Sequence, residues 1–283
     1  MPEVDWPSVW AKTGGGRDGG QDGEPDGERS PHLVFLHGSG ACATVWDDVL
    51  PHLPPHVGWT VVDLPGHGRS GRLPSYATGV VAAALAARTV PREPVVLVGH
   101  SLGGLIAVAL ANPIFGLDVR AVLAFSVKVE WTEEELAQRS ARAARPPRTW
   151  TDRDEALARF ARVSGLAEAP GPVPPERLAP GVREAPEGFV LAHDPATALV
   201  PPLAPEQIAD QVAHAGVPVS LACGDRDRMA TPSSMGILGK VEILEGVGHN
   251  AHVTHPDLVA ELVRRVLAQE TPGASGPEAG ARR

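Results

Sequence analysis

Three residues of types able to carry nucleophilic catalysis stand along the chain in the order Ser101, Asp227, His249. A serine hydroxyl is a poor nucleophile at neutral pH; it needs a neutral imidazole to take its proton, and the imidazole needs a carboxylate to hold its tautomer. Ser101 lies in Gly99-His100-Ser101-Leu102-Gly103, with glycine two residues to either side. That pattern suits a strand-to-helix turn too tight for side chains at the glycine positions, which leaves the hydroxyl exposed. Asp227 ends Gly224-Asp225-Arg226-Asp227, and His249 follows Gly248. Asp225, two residues before Asp227, is the alternative carboxylate.

For such residues to meet, each must sit at the carboxyl end of a strand in one parallel sheet. Continuous apolar runs supply those strands: Leu33-Val34-Phe35-Leu36 before His37-Gly38-Ser39-Gly40, residues 59–63 before a turn-rich junction, and Pro94-Val95-Val96-Leu97-Val98 before the serine turn. Residues 119–127, 217–223 and 240–244 are three more. Runs with no polar alternation predict strands buried on both faces. Helices are expected over residues 43–53, 78–89, 104–112 and 256–269, the last placing Leu258, Val259, Leu262, Val263, Val266 and Leu267 on one face. The fold class is therefore α/β, a mostly parallel central sheet with helices on both faces.

The core is expected from residues 31–128 and 206–270. Between them, residues 129–205 turn rich in Arg, Pro and Ala, with helices expected over 132–144 and 152–164 and little strand signal beyond. They predict an insertion folded over the sheet. Residues 1–30 hold one short candidate strand at 4–10 and then a Gly/Asp/Glu-rich stretch expected to be loose, and 271–283 form a polar tail.

Composition excludes several classes of function. The chain of 283 residues has 25 Lys and Arg against 34 Asp and Glu, a net charge of −9 with no basic block to hold a nucleic acid. No apolar run approaches the ~20 residues of a membrane span, and the N-terminus lacks the basic-then-apolar order of a secretory signal. A cytoplasmic protein is expected. Cys42 and Cys223 lie in no metal-binding spacing and are expected to be buried thiols, and no metal is expected.

Five motifs in order, His37-Gly38-Ser39-Gly40, Asp63-Leu64-Pro65-Gly66-His67-Gly68-Arg69-Ser70, Gly99 to Gly104, Gly224 to Asp227 and Gly248-His249, resemble the α/β-hydrolase superfamily from residue 32 to 269. The resemblance implies a Ser101-His249-Asp227 triad, with Asp227 favoured because the family pattern sets the acid third after the glycine, and with Glu130, soon after the fourth strand, as the alternative position that some members use. It places an oxyanion hole at the amides of Ser39 and Leu102, and a cap at the insertion. His37, Gly38, His100, Trp131 and Trp150 are the expected substrate-binding residues, His37 chiefly orienting its loop; Trp131 and Trp150 could equally anchor the cap. The implied reaction is cofactor-free hydrolysis of an ester-like bond in a small molecule, as in carboxylesterases, lactonases or thioesterases, through an acyl-enzyme. Cleavage of a carbon–carbon bond, a lyase or synthase reaction, and a low-turnover receptor are the alternatives, and a homodimer is left open. Arginines at 139, 142, 145, 148, 153, 159 and 162 could meet an acidic substrate or form a solvated helix face.

Overall fold

The computed structural model describes residues 8–16, 30–198 and 202–269. The first half of the chain supplies β1 (Ala11–Gly15), β2 (His32–Leu36), β3 (Gly58–Val62), α1 (Thr78–Arg88), β4 (Val95–His100), α2 (Leu102–Leu110) and β5 (Val119–Phe125). A segment outside the main sheet follows, with α3 (Glu133–Ala143), α4 (Arg153–Ser164), α5 (Pro175–Leu178) and the hairpin β6 (Val182–Ala185) and β7 (Gly188–Leu191). The chain returns through α6 (Pro205–Ala213), β8 (Val219–Gly224), α7 (Pro232–Met235), β9 (Val241–Leu244), α8 (Ala251–Thr254) and α9 (Pro256–Gln269).

The seven-stranded sheet runs β1-β3-β2-β4-β5-β8-β9, with β1 antiparallel to β3 and every other pair parallel. Side-chain alternation along the apolar strands fills both faces. Val34 and Leu36 of β2 join Leu97, Ile106, Leu110 and Ile208 on the face covered by α1, α2 and α6. Leu33 and Phe35 point the other way, into a layer with Trp46, Val98, Leu262 and Val263 under α9. Each such large side chain, fully withdrawn from water, contributes roughly 1.5–3 kcal/mol. Cys42 and Cys223 are buried free thiols within these layers.

The structure corrects the sequence reading at four places. Of the strand expected at 4–10, residues 4–7 lie outside the described residues and Ser8 to Trp10 are not strand; the edge strand is β1, whose Thr13 to Gly15 fall in the stretch expected to be loose. Its glycines fit because Trp59 of β3 lies flat against them: a Cβ at Gly14 would strike the indole. Residues 43–53 form two 3-10 turns, Ala43–Trp46 and Leu50–His52, the second opening onto Pro51. The β6–β7 hairpin and α6 were not among the expected elements.

Candidate active site

The sheet's carboxyl edge gathers the candidate residues. Ser101 joins β4 to α2 with φ 52 and ψ −116, a backbone conformation that side chains other than glycine rarely adopt and that costs about 1–3 kcal/mol. The flanking glycines make the turn possible by close approach. A Cβ at Gly99 would run into the backbone of Gly103, and one at Gly103 would run into the Leu36 carbonyl of β2. The turn is held from below by the Ser101 amide, which donates to the Phe125 carbonyl of β5 at 3.0 Å.

After β8, Asp227 is fully buried, and its Oδ2 lies 2.9 Å from Nδ1 of His249. Its Oδ1 accepts from the amides of Met229 at 2.8 Å and Ala230 at 2.9 Å. Burial opposes ionisation of Asp227, but the hydrogen bond and charge of His249 together with the two amides outweigh it and hold the carboxyl below its ordinary value. Asp225 turns elsewhere, accepting from the Gly246 amide at 2.8 Å. Among the described residues, no hydrogen bond joins the Ser101 hydroxyl to His249.

A cavity of about 1160 Å³ opens above Ser101, between the sheet edge and residues of the 129–205 segment. Ser39, Ser101, Leu102, Trp131 and Trp150 line it. Among the described residues the amides of Ser39 and Leu102 have no hydrogen-bond acceptor, and that of Leu102 is the first of α2, where the helix dipole favours negative charge. Trp131 is flanked by Lys128 and Arg139, 4.7 and 5.0 Å from its ring centroid, and Trp150 bridges the backbone of Phe189. Both tryptophans are cavity wall, and the backbone bridge of Trp150 stays within the 129–205 segment.

His37, Gly38 and His100, expected to contact substrate, do not line this cavity, and neither do Asp227 and His249. His37 is fully buried and commits both ring nitrogens to backbone: Nδ1 donates to the Gly38 carbonyl at 2.7 Å, and Nε2 accepts from the Leu64 amide at 2.9 Å. It ties the turn after β2 to the turn after β3. Buried Asp63 holds that second turn by accepting from the Ala43 and Arg69 amides and from the Arg69 guanidinium.

Of the seven arginines, six, all but Arg153, line the cavity, and Arg142, Arg145, Arg148, Arg159 and Arg162 are also exposed, as the solvated helix face expected from their spacing would have them. Arg139 with Arg142 on α3 and Arg159 with Arg162 on α4 share helix faces by their three-residue spacing. Arg139 donates to the carbonyls of Thr197 and Ala198. Among the described residues Arg142, Arg145, Arg148, Arg159 and Arg162 make no ion pair. The wall also holds His67 and His193, whose rings stack at 6.2 Å and which sequence reading had given no part in it. Among the described residues no group of three or more His, Cys, Asp or Glu side chains is arranged to hold a metal ion, and no helix is long and apolar enough to cross a membrane.

Known proteins resemble this chain at two levels. Pimeloyl-[acyl-carrier protein] methyl ester esterases of Klebsiella pneumoniae and Proteus mirabilis are 43% identical over 84 residues and 40% identical over 88. Those matches take in 29% and 30% of this chain and 32% and 33% of the relatives, so the chain spans about a third of the length of the curated relatives it matches. Among solved structures, an E-2-(acetamidomethylene)succinate hydrolase superposes with a TM-score of 0.70 at 18% identity, covering 93% of this chain and 96% of that one. A Mycobacterium tuberculosis esterase gives 0.66 at 23% identity over 94% and 93% of the two chains, a likeness of fold. The model of the alpha/beta hydrolase family matches residues 33–262, and the chain belongs to that family.

Proposed function

We propose that the protein is a serine hydrolase of carboxylic esters working through an acyl-enzyme on Ser101. The observation that carries this reading is the meeting, at one sheet edge, of a strained serine turn and a buried Asp227–His249 pair 2.9 Å apart. In the proposed cycle His249 takes the Ser101 proton as Oγ attacks the ester carbonyl, then gives that proton to the departing alcohol. It next takes a proton from water, whose oxygen attacks the acyl carbon, and returns it to Ser101 as the acid leaves. Asp227 accepts from Nδ1–H throughout, leaving Nε2 as the base. Catalytic hydrogen bonds in empty sites are commonly long and shorten only with substrate bound, so the Ser101–His249 contact is assigned to that complex. The amides of Ser39 and Leu102, without acceptors, suit the oxyanion, each such donor contributing about 3 kcal/mol to the transition state.

The residues 129–205 act in this proposal as a cap that selects substrate. Its arginines on a cavity wall of a protein with net charge −9 favour an ester that carries negative charge away from the scissile bond. The relatives' name, a pimeloyl-[acyl-carrier protein] methyl ester esterase, supports an ester as the bond cleaved. The test is intact-mass analysis after exposure to a fluorophosphonate, with Ser101→Ala as control. One adduct on the parent protein and none on the variant is the expected result; a folded parent protein that takes no adduct contradicts an activated Ser101.

A further inference from the structure

Behind His249 the structure packs two more imidazoles, edge-on and tilted, that the proposed cycle does not use. His100 ends β4 next to Ser101, and His252 lies on α8, three residues after His249. The His100 ring centroid is 4.8 Å from that of His249 and 4.3 Å from that of His252, which is itself 4.8 Å from Trp46. Phe125 closes the side of the cluster, 5.2 Å from His100 and 5.8 Å from His252. His100 is 3% exposed and His252 is fully buried.

Hydrogen-bond chemistry fixes the form of His100. Its Nε2 lies 3.0 Å from the His249 carbonyl oxygen, which can only accept, so Nε2 carries the proton and Nδ1 is a bare lone pair. A Cβ at Gly38 would lie 2.8 Å from that Nδ1, so the oxyanion turn is pressed onto the same ring. Burial first, and the neighbouring histidines second, keep both rings neutral: His100 is held far below the ordinary imidazole range and His252 is pushed down to about 3.

The protein gives the polar atoms of this cluster few partners. His100 Nδ1, both nitrogens of His252 and Trp46 Nε1 are buried, and among the described residues no group bonds to them. Hydrocarbon rings would fill the same space without those unpaired atoms, each of which weakens the fold. Local features that oppose stability gather where function requires them, and this one sits between the nucleophile turn and the His249 loop.

We propose that His100 and His252 are positioning residues for His249. His100, the residue before the nucleophile, ties the main chain of His249 to its own ring, and His252 backs that ring, so that the approach of His249 to Ser101 is set by this packed cluster of rings. Being neutral, the cluster adds no positive charge beside the imidazolium formed when Ser101 attacks. The proposal rests on the reading of His249 as the base for Ser101.

The test is steady-state hydrolysis of p-nitrophenyl butyrate and thermal unfolding, both on the whole protein. His100→Phe is expected to lower kcat about tenfold, as a base misplaced by a fraction of an ångström does, with KM within about twofold. Its Tm is expected to hold or rise. His100→Gln, which can again offer N–H to the His249 carbonyl, is expected to recover kcat to within about threefold of the parent. His252→Phe, should His100→Phe fail to fold, is expected to slow kcat with no fall in Tm. Parental kcat in the Phe variant tested, kcat falling together with Tm, or a Gln variant no faster than His100→Phe overturns the proposal. Failure of the underlying reading is separate: Ser101→Ala would then hydrolyse the ester as fast as the parent.

Discussion

Asp227 divides its two oxygens between tasks: Oδ1 is fixed by two backbone amides, while Oδ2 faces His249. Its orientation therefore belongs to the turn after β8 and survives conservative replacement. Asp227→Asn keeps an oxygen for the amides of Met229 and Ala230 and turns an NH₂ toward Nδ1. The imidazole must then accept at Nδ1 and carry its proton on Nε2, the tautomer that cannot take a proton from Ser101. The expected outcome is a fall in kcat of about a thousandfold or more with far-ultraviolet circular dichroism unchanged, read with p-nitrophenyl butyrate. Asp225→Asn, at a side chain that accepts from Gly246, is expected to stay within about threefold of the parent, which separates the two carboxylates that the sequence places two residues apart.

At the scale of elements, the close seating of α2 on the ends of β2 and β4 explains the serine turn. Gly103→Ala would drive a methyl group into the Leu36 carbonyl, a backbone atom that cannot move without breaking the sheet. A loss of about 2–3 kcal/mol in urea unfolding is expected, with fluorophosphonate labelling of Ser101 slowed in the fraction that stays folded. The helices α3 and α4 carry the other prediction: reversing charge at Arg142 or Arg159 to Glu is expected to reduce kcat/KM about tenfold for an ester with a distal carboxylate or phosphate. A neutral ester should change by less than about twofold, and added salt should erase the difference. Equal losses on both esters would show that the arginines hold the fold and do not read charge. The core strands and α9 were legible in sequence because uninterrupted apolar runs and a clean helical face leave one way to be buried. The β6–β7 hairpin was not, since Arg183 and Glu184 are exposed and its pairing is anchored by distant Trp150. Strand β1 escaped for a similar reason: its glycines read as loop until Trp59 is seen covering them. Of the candidate site, strand ends pointed to Ser101, Asp227 and His249, while the arginines on the cavity wall and the rings packed behind His249 depend on how separate segments cross, which spacing along the chain does not encode.

For the whole molecule the buried histidines set an acid limit. His32, His37, His67, His100, His193 and His252 all have values lowered first by burial, the His67 and His100 rings being held well below the ordinary range. In the unfolded chain each takes up a proton near pH ~6.5, whereas in the folded protein it does so only at lower pH. Stability rises with pH wherever the unfolded chain binds more protons, so the histidines' contribution is fully present from pH ~6.5 upward and is lost as pH falls below it. Each histidine still neutral in the fold contributes up to ~1.4 kcal/mol of that loss per pH unit, and His252 continues to do so down to about pH 3. Against a total stability of about 5–15 kcal/mol, several such groups together are decisive. Asp227, whose value is lowered, acts in the same sense but only below its unfolded value near 3.8, after the histidines have taken effect. Thermal unfolding from pH 8 to 4 is therefore expected to show a flat Tm above about pH 6.5, a steep fall below it, and cooperative acid unfolding above about pH 4. His252→Phe removes one of the responsible rings and should make the slope between pH 6 and 4 shallower by close to one proton. A Tm that stays level down to pH 4.5 would mean that these rings are protonated in the fold.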